Sequence, residues 1–214
     1  MIEGYIIAIY HSMKQRLIIF IFFLFLSIIS FGQSAKFIKV YFLYGSKPAN
    51  GHRYHEDPYF GGKHGGHVSI GIDTSIVGFT NNNGFHIFAR KKSIKGIYKV
   101  KGLTEFRKDS STFKYTTFEI PLADSQYVKL KKIINNYLYV QTPYDYAFIG
   151  MRCTSAAYDL LSQIGIFKIR SKWGNIFSNF YPKKLRNKMF KIAKEYNYKV
   201  YSQPGRPSRK WEND

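Results

Sequence analysis

One cysteine, Cys153, stands in a chain of 214 residues, and all six histidines precede it. A lone cysteine cannot form an intramolecular disulfide, so scaffolding does not explain it. A thiol becomes a nucleophile when it ionises and when a base within hydrogen-bond reach can take and return its proton. That base is most often histidine, oriented in turn by a third polar group. Cys153 heads the apolar stretch Cys153-Thr154-Ser155-Ala156-Ala157-Tyr158-Asp159-Leu160-Leu161, which reads as a helix start. Exposed amides at a helix N-terminus favour negative charge, so a thiol placed there ionises more readily. The competing reading is a small buried hydrophobe, a common fate of free cysteine.

The base must come from upstream. His11 belongs to an apolar leader, which leaves His52, His55, His64, His67 and His86. His67 is the best placed. It opens the segment His67-Val68-Ser69-Ile70-Gly71-Ile72-Asp73, where Val68, Ile70 and Ile72 alternate with small or polar residues as in a half-buried strand. His67 then shares a face with Ser69 and Gly71 and points away from the apolar core, held more rigidly than a loop could hold it. An ordinary exposed strand histidine would look the same. For the third residue, hairpin arithmetic offers a choice. Pairing Ile72 with Val77 and Ile70 with Phe79 leaves Thr74-Ser75 as the loop and sets Asn82 opposite His67. Its amide could accept from the imidazole and fix the tautomer. A slip in register would put Asn81 or Thr80 there, the run Asn81-Asn82-Asn83-Gly84 also reads as a plain turn, and His86 is the other candidate.

The segment His52-Arg53-Tyr54-His55-Glu56-Asp57, with His64, carries ligand-type residues, and His52, His55 and a carboxylate could hold a metal. The spacing lacks the helix-borne His-Glu-x-x-His pattern. Gly51, Pro58, Gly61 and Gly62 argue for a loop that forms a lid or substrate wall beside His67, or that is simply solvated. No metal and no cofactor is expected.

The elements that would position these groups are mixed. Lys36–Leu43 reads as a first strand, His67–Asp73 as the next, then Ile76–Thr80, Phe85–Ala89, Ile97–Val100 and Thr112–Ile120. Asp124 is the expected N-cap of a helix whose apolar face carries Tyr127, Leu130, Ile133, Ile134, Tyr137 and Leu138. The Cys153 helix should stop near Gly165. Lys183–Tyr196 reads as a third helix, Tyr198–Tyr201 as a strand closing the sheet, and Pro204–Asp214 as a polar tail. The expectation is a single α+β domain over residues 35–214, with no internal repeat.

Residues 14–33 combine a short basic start, an apolar run of thirteen residues from Leu17 to Ile29, and small and polar residues after it. This predicts a secretory signal peptide over residues 1–34, with Met13 as the true start and cleavage near Gly32 to Ala35. The run is short for a membrane span. Export to the periplasm or beyond follows. Formal net charge is +20; the leader holds Glu3, Lys14 and Arg16, a net of +1, so +19 falls on the rest. Such a charge favours an anionic partner, here an envelope polymer or membrane surface rather than nucleic acid, unless it serves solubility alone. Oligomeric state is open.

Gly66-His67-Val68-Ser69-Ile70, followed by Tyr144-Asp145-Tyr146 and Cys153-Thr154-Ser155, resembles the circularly permuted branch of the NlpC/P60 superfamily of papain-like hydrolases. That branch includes lecithin:retinol acyltransferase-like and YiiX-like proteins. Thr142-Pro143-Tyr144-Asp145-Tyr146 before the cysteine is also similar to the nucleophile region of ordinary NlpC/P60 cell-wall peptidases. The resemblance covers roughly residues 63–165. It implies a permuted papain-like antiparallel sheet packed with helices. It also implies Cys153 as nucleophile and His67 as base, with the Cys153 amide and Tyr144 as oxyanion donors. An acyl-enzyme route to amide or ester hydrolysis would follow, on cell-wall peptide or acyl lipid. The alternative is a non-catalytic module that binds an anionic envelope polymer or membrane. A lipid substrate would want an apolar patch, for which Phe60, Phe79, Phe85 and Phe148 are candidates, unless they are core. This chain departs from the NlpC/P60 pattern. Arg152 replaces the Asp before the cysteine, and Thr154-Ser155 replaces Ser-Gly. Permuted relatives often carry a polar residue on the strand after the histidine strand, where this chain has Ile76-Val77-Gly78-Phe79.

Overall fold

The computed structural model describes residues 14–21, 36–54, 65–140 and 142–212. Two units divide the chain at Ala35. In the first, residues 14–21 form a helix, α1. No helix among the described residues is long and apolar enough to cross a membrane.

The second unit, Lys36–Asp214, is α+β. Its strands are β1 (Lys36–Tyr44), β2 (Ser46–Pro48), β3 (Gly66–Ile72), β4 (Ser75–Asn81), β5 (His86–Phe88), β6 (Gly96–Gly102), β7 (Tyr115–Leu122), β8 (Ala147–Ile149), β9 (Lys199–Gln203) and β10 (Arg209–Trp211). Its helices are α2 (Leu103–Ser110), α3 (Asp124–Tyr139), α4 (Cys153–Gln163), α5 (Lys172–Ser178) and α6 (Pro182–Glu195). Six strands form one antiparallel sheet in the order β6-β4-β3-β1-β7-β9.

Alternation decides which side chains meet which layer. Ile38, Val40 and Phe42 of β1, Val68 and Ile70 of β3, and Phe118 and Ile120 of β7 pack with residues of α3, α4 and α6 into the main core. Burying each such side chain stabilises the fold by roughly 1.5–3 kcal/mol. The other face is thinner: Tyr41, Leu43 and Ile76 pack under Phe106 of α2. As expected for a strand near Tyr198–Tyr201, β9 closes one edge of the sheet against β7.

Four expectations need correction. The β3–β4 loop is Asp73-Thr74, because Ile72 pairs with Ser75 and Ile70 with Val77. Asp73 takes φ +53°. Aspartate tolerates this left-handed conformation better than a β-branched threonine does, and Tyr127 and Lys131 both donate to its carboxylate. Second, Ala123 rather than Asp124 caps α3, and its N–H donates to Gln126 Oε1 at 3.0 Å. Third, residues 86–88 leave the main sheet and pair in parallel with β8 in a separate two-stranded ribbon. Fourth, the C-terminal segment is no solvated tail. β10 pairs with β2, and Trp211 and Glu212 are buried. Arg186 Nη2 donates to Glu212 Oε1 at 2.9 Å, and the Arg186 guanidinium lies 3.8 Å from the Tyr44 ring centre. A charge is buried only when paired, and α6 supplies the partner.

Candidate active site

Cys153 is the first residue of α4, as its sequence context predicts, and is 6% exposed. The helix begins there because Ser155 Oγ accepts the Arg152 N–H at 2.9 Å and Arg152 itself is extended. α4 lies on β3 and β4, with Ala157 and Leu160 in the main core. The thiol therefore approaches the sheet from the helical side.

His67 comes from the other side. It lies on the face that β3 turns toward α2, as alternation predicts, and shares a cavity of about 490 Å³ with Leu43, Ser69, Thr80, Phe106 and Phe113. The two groups meet because the sheet opens between them. In a hairpin with a two-residue turn, the flanking residues exchange ladder bonds, so every second residue inward turns its N–H to the partner strand. Ile72, Ile70 and Val68 are those residues on β3. The β3–β4 ladder ends at Ile70–Val77. The next N–H, that of Val68, donates to the Cys153 sulfur instead of to β4. Gly78 makes room: a Cβ there would lie 2.8 Å from His67 Nε2 and 3.0 Å from Ser69 Oγ.

Burial pushes the Cys153 thiol up, away from ionisation. Opposing it are a hydrogen bond from His67, the His67 charge, the Val68 amide and the Thr154 hydroxyl, which lies 3.8 Å from the sulfur. Together they outweigh burial and bring the thiol down to about 7. A thiol so placed is partly ionised at neutral pH and has an imidazole to exchange its proton.

Other sequence candidates fare differently. The observed register, carried outward, sets Thr80 rather than Asn82 abreast of His67. Asn82 is exposed, and its N–H donates to the Lys95 carbonyl at 2.7 Å. The pairing argument for Asn82 therefore fails with the register on which it rested. Tyr144 donates its hydroxyl to Asp159, and its ring packs against Phe79 and Tyr137. Burial, then its phenol and carboxylate neighbours, hold that hydroxyl firmly protonated. His86 is bound to Asp145, 2.7 Å from Nδ1 to Oδ2. His52 is exposed, while His55, Glu56, Asp57, His64 and Phe60 lie outside the described residues. No group of metal-ligand side chains occurs among the described residues. Phe79 is core, whereas Phe85 and Phe148 are exposed.

Sequence reasoning missed two neighbours of the thiol. Tyr146 is pushed up by burial and then by the charge of Cys153. It stands in the Tyr144-Asp145-Tyr146 motif, two residues after Tyr144. Arg152 lies between Phe148, Phe180 and Tyr181, its guanidinium 3.6 Å from the Phe180 ring centre, and donates to the Phe180 carbonyl at 2.5 Å. Burial lowers it, and Tyr146, Cys153 and Tyr181 partly restore it. The positive charge at the helix start was visible in the sequence as Arg152 directly before the cysteine.

Compared with family models, with curated proteins and with solved structures, the chain matches none.

Proposed function

We propose that this chain is an exported thiol hydrolase of permuted papain-like, NlpC/P60-related type, splitting an amide or ester bond in cell-wall peptide or acyl lipid. The observation that carries the reading is the Cys153 thiol at the head of α4, lowered to about 7 by His67 and the Val68 amide against the cost of burial. The Cys153 thiolate attacks the acyl carbon and forms a C–S bond. His67, now protonated, gives its proton to the departing amine or alcohol as the C–N or C–O bond breaks. Water then attacks the thioester while His67 accepts its proton. The acid leaves, and the thiolate–imidazolium pair is restored. The amides at the start of α4 face the charge that develops on the acyl oxygen.

A second reading, a non-catalytic module for an anionic envelope polymer or membrane, draws support from the burial of Cys153 and from its absence from the wall of the cavity that holds His67. One experiment separates the two. The rate of Cys153 alkylation by iodoacetamide is followed against pH in the wild type and in His67→Ala. The hydrolase reading expects a midpoint near 7 in the wild type. In the variant it expects a midpoint near the free-thiol range, and a rate at pH 7 lower by about 15-fold. A thiol that stays unreactive, or one indifferent to His67, sinks the hydrolase and leaves the module.

A further inference from the structure

The β5–β8 ribbon presents apolar side chains to solvent. His86 pairs with Ala147 and Phe88 with Ile149, so Ile87 and Phe148 lie between those pairs and project together from the opposite face. Ile87 is 65% exposed, and Phe88, at the ribbon's end, 64%; Phe85 and Phe148 are exposed as well. From Phe148 the apolar surface runs on through Phe180 to Tyr181, ring centres 5.6 and 4.7 Å apart.

The charge around this surface has one sign. No Asp or Glu occurs from Thr74 to Thr104, a stretch that holds Arg90, Lys91, Lys92 and Lys95, and none occurs from Leu160 to Lys194. Arg90, Lys91 and Lys92 are exposed directly after the ribbon strand. Asp145, the acid nearest the ribbon, is buried and taken by His86 and the Arg90 and Lys95 amides.

We propose that the β5–β8 ribbon docks the protein on an anionic lipid surface, with Ile87 and Phe148 entering the acyl boundary and Arg90, Lys91 and Lys92 meeting headgroup phosphates. A soluble polyanion would use the cations and leave the apolar side chains idle. A membrane interface uses both, since apolar area and basic charge act together there. The ribbon also adjoins the candidate nucleophile. The chain runs from Phe148 through Arg152, stacked among the same aromatic rings, into Cys153. Docking there brings the head of α4 to the lipid surface. The inference does not depend on Cys153 being catalytic, so the two readings can fail separately.

The test is flotation of the protein, as exported by its host, with vesicles of phosphatidylcholine alone and of phosphatidylcholine with phosphatidylglycerol. Wild type and variants share one N-terminus, so differences between them report the ribbon. Binding to the anionic vesicles is expected, with little to the neutral ones. Ile87→Ser combined with Phe148→Ser should weaken it by about tenfold. Lys91→Glu combined with Lys92→Glu should weaken it by at least as much and steepen no further with salt. Both variants should keep the wild-type thermal unfolding midpoint, which shows that the fold is intact. Anionic-vesicle binding that is absent, or that survives the loss of Ile87 and Phe148, overturns the proposal. So does equal competition by a soluble polyglycerol phosphate against wild type and the Ile87/Phe148 variant.

Discussion

Among the described residues, His86 and His67 each have a polar partner, and the pairs do opposite work. His86 and Asp145 make the more familiar pair by residue type, an imidazole on a carboxylate at 2.7 Å. Yet that carboxylate also accepts the Arg90 N–H at 2.8 Å and the Lys95 N–H at 2.7 Å. Its oxygens are spent on holding residues 86–95 against the segment that enters β8. Cys153 and His67 sit instead where the β3–β4 ladder stops, and the Val68 donor released there is aimed at sulfur. The lesson is that a polar pair is read by what else its atoms bind. A saturated carboxylate fixes structure, whereas a buried thiol served by donors with no ladder partner is prepared to carry charge.

The sharpest way to break this comparison is Asp145→Ala. Removing the shared acceptor of the His86 imidazole and two amides should cost about 3–5 kcal/mol of folding free energy, seen in the denaturant midpoint. The alkylation midpoint of the folded protein should stay near 7. A shifted thiol with little loss of stability would reverse the two roles. The pH dependence separates the pairs further. Burial pushes the Asp145 carboxyl up, but the Lys95 and Arg90 amides and His86 outweigh it and hold it below the usual range. Its folded value is depressed, so its contribution is full above the unfolded carboxylate value. It is lost as pH falls below about 4, and the penalty of Asp145→Ala should shrink there. The Cys153 thiol is also depressed in the folded state, but its contribution is lost as pH falls through about 7.

Gly78→Ala sharpens the comparison from the other side. The new methyl group would stand 2.8 Å from His67 Nε2, so the imidazole must move while the backbone need not. Alkylation at pH 7 should fall by about tenfold, with thermal stability changed by only a few degrees. An unaltered midpoint would mean that the position of the ring over Gly78 is not what lowers the thiol. The smallest effect belongs to Thr154→Val, which keeps the volume and removes the hydroxyl 3.8 Å from the sulfur. A rate loss of about two- to threefold at pH 7 is expected, since a neutral hydroxyl contributes less than a charged imidazole. A loss as large as that of His67→Ala would move the centre of the site from the histidine to the threonine.

How far the sequence could be read differs by kind of feature. The helix that begins at Cys153, the strand that begins beside His67 and the face on which His67 lies were all legible, because each depends on neighbours within a turn or a strand pair. Asn82 was lost to a single fact about a loop. Asp73 takes the left-handed turn position, the loop becomes Asp73-Thr74, and the partner across from His67 becomes Thr80. Tyr144 was lost to Asp159, a residue on the next helix that no local pattern links to it. The polar look of the last residues hid Trp211 and Glu212, whose burial depends on β2 and on Arg186 of α6.

The amino-acid sequence by itself determined that there is one thiol, at a helix start, with every possible imidazole upstream of it. It also determined that the layers are α+β and that the charge is strongly positive. These follow from composition, periodicity and capping, which act over a few residues. Tertiary structure alone decided which imidazole reaches the thiol, which amide is left free to serve it, and which aromatic residues stay in solvent on the β5–β8 ribbon. Those outcomes are set by strand register and long-range packing, where a turn shifted by one residue changes every partner down the ladder.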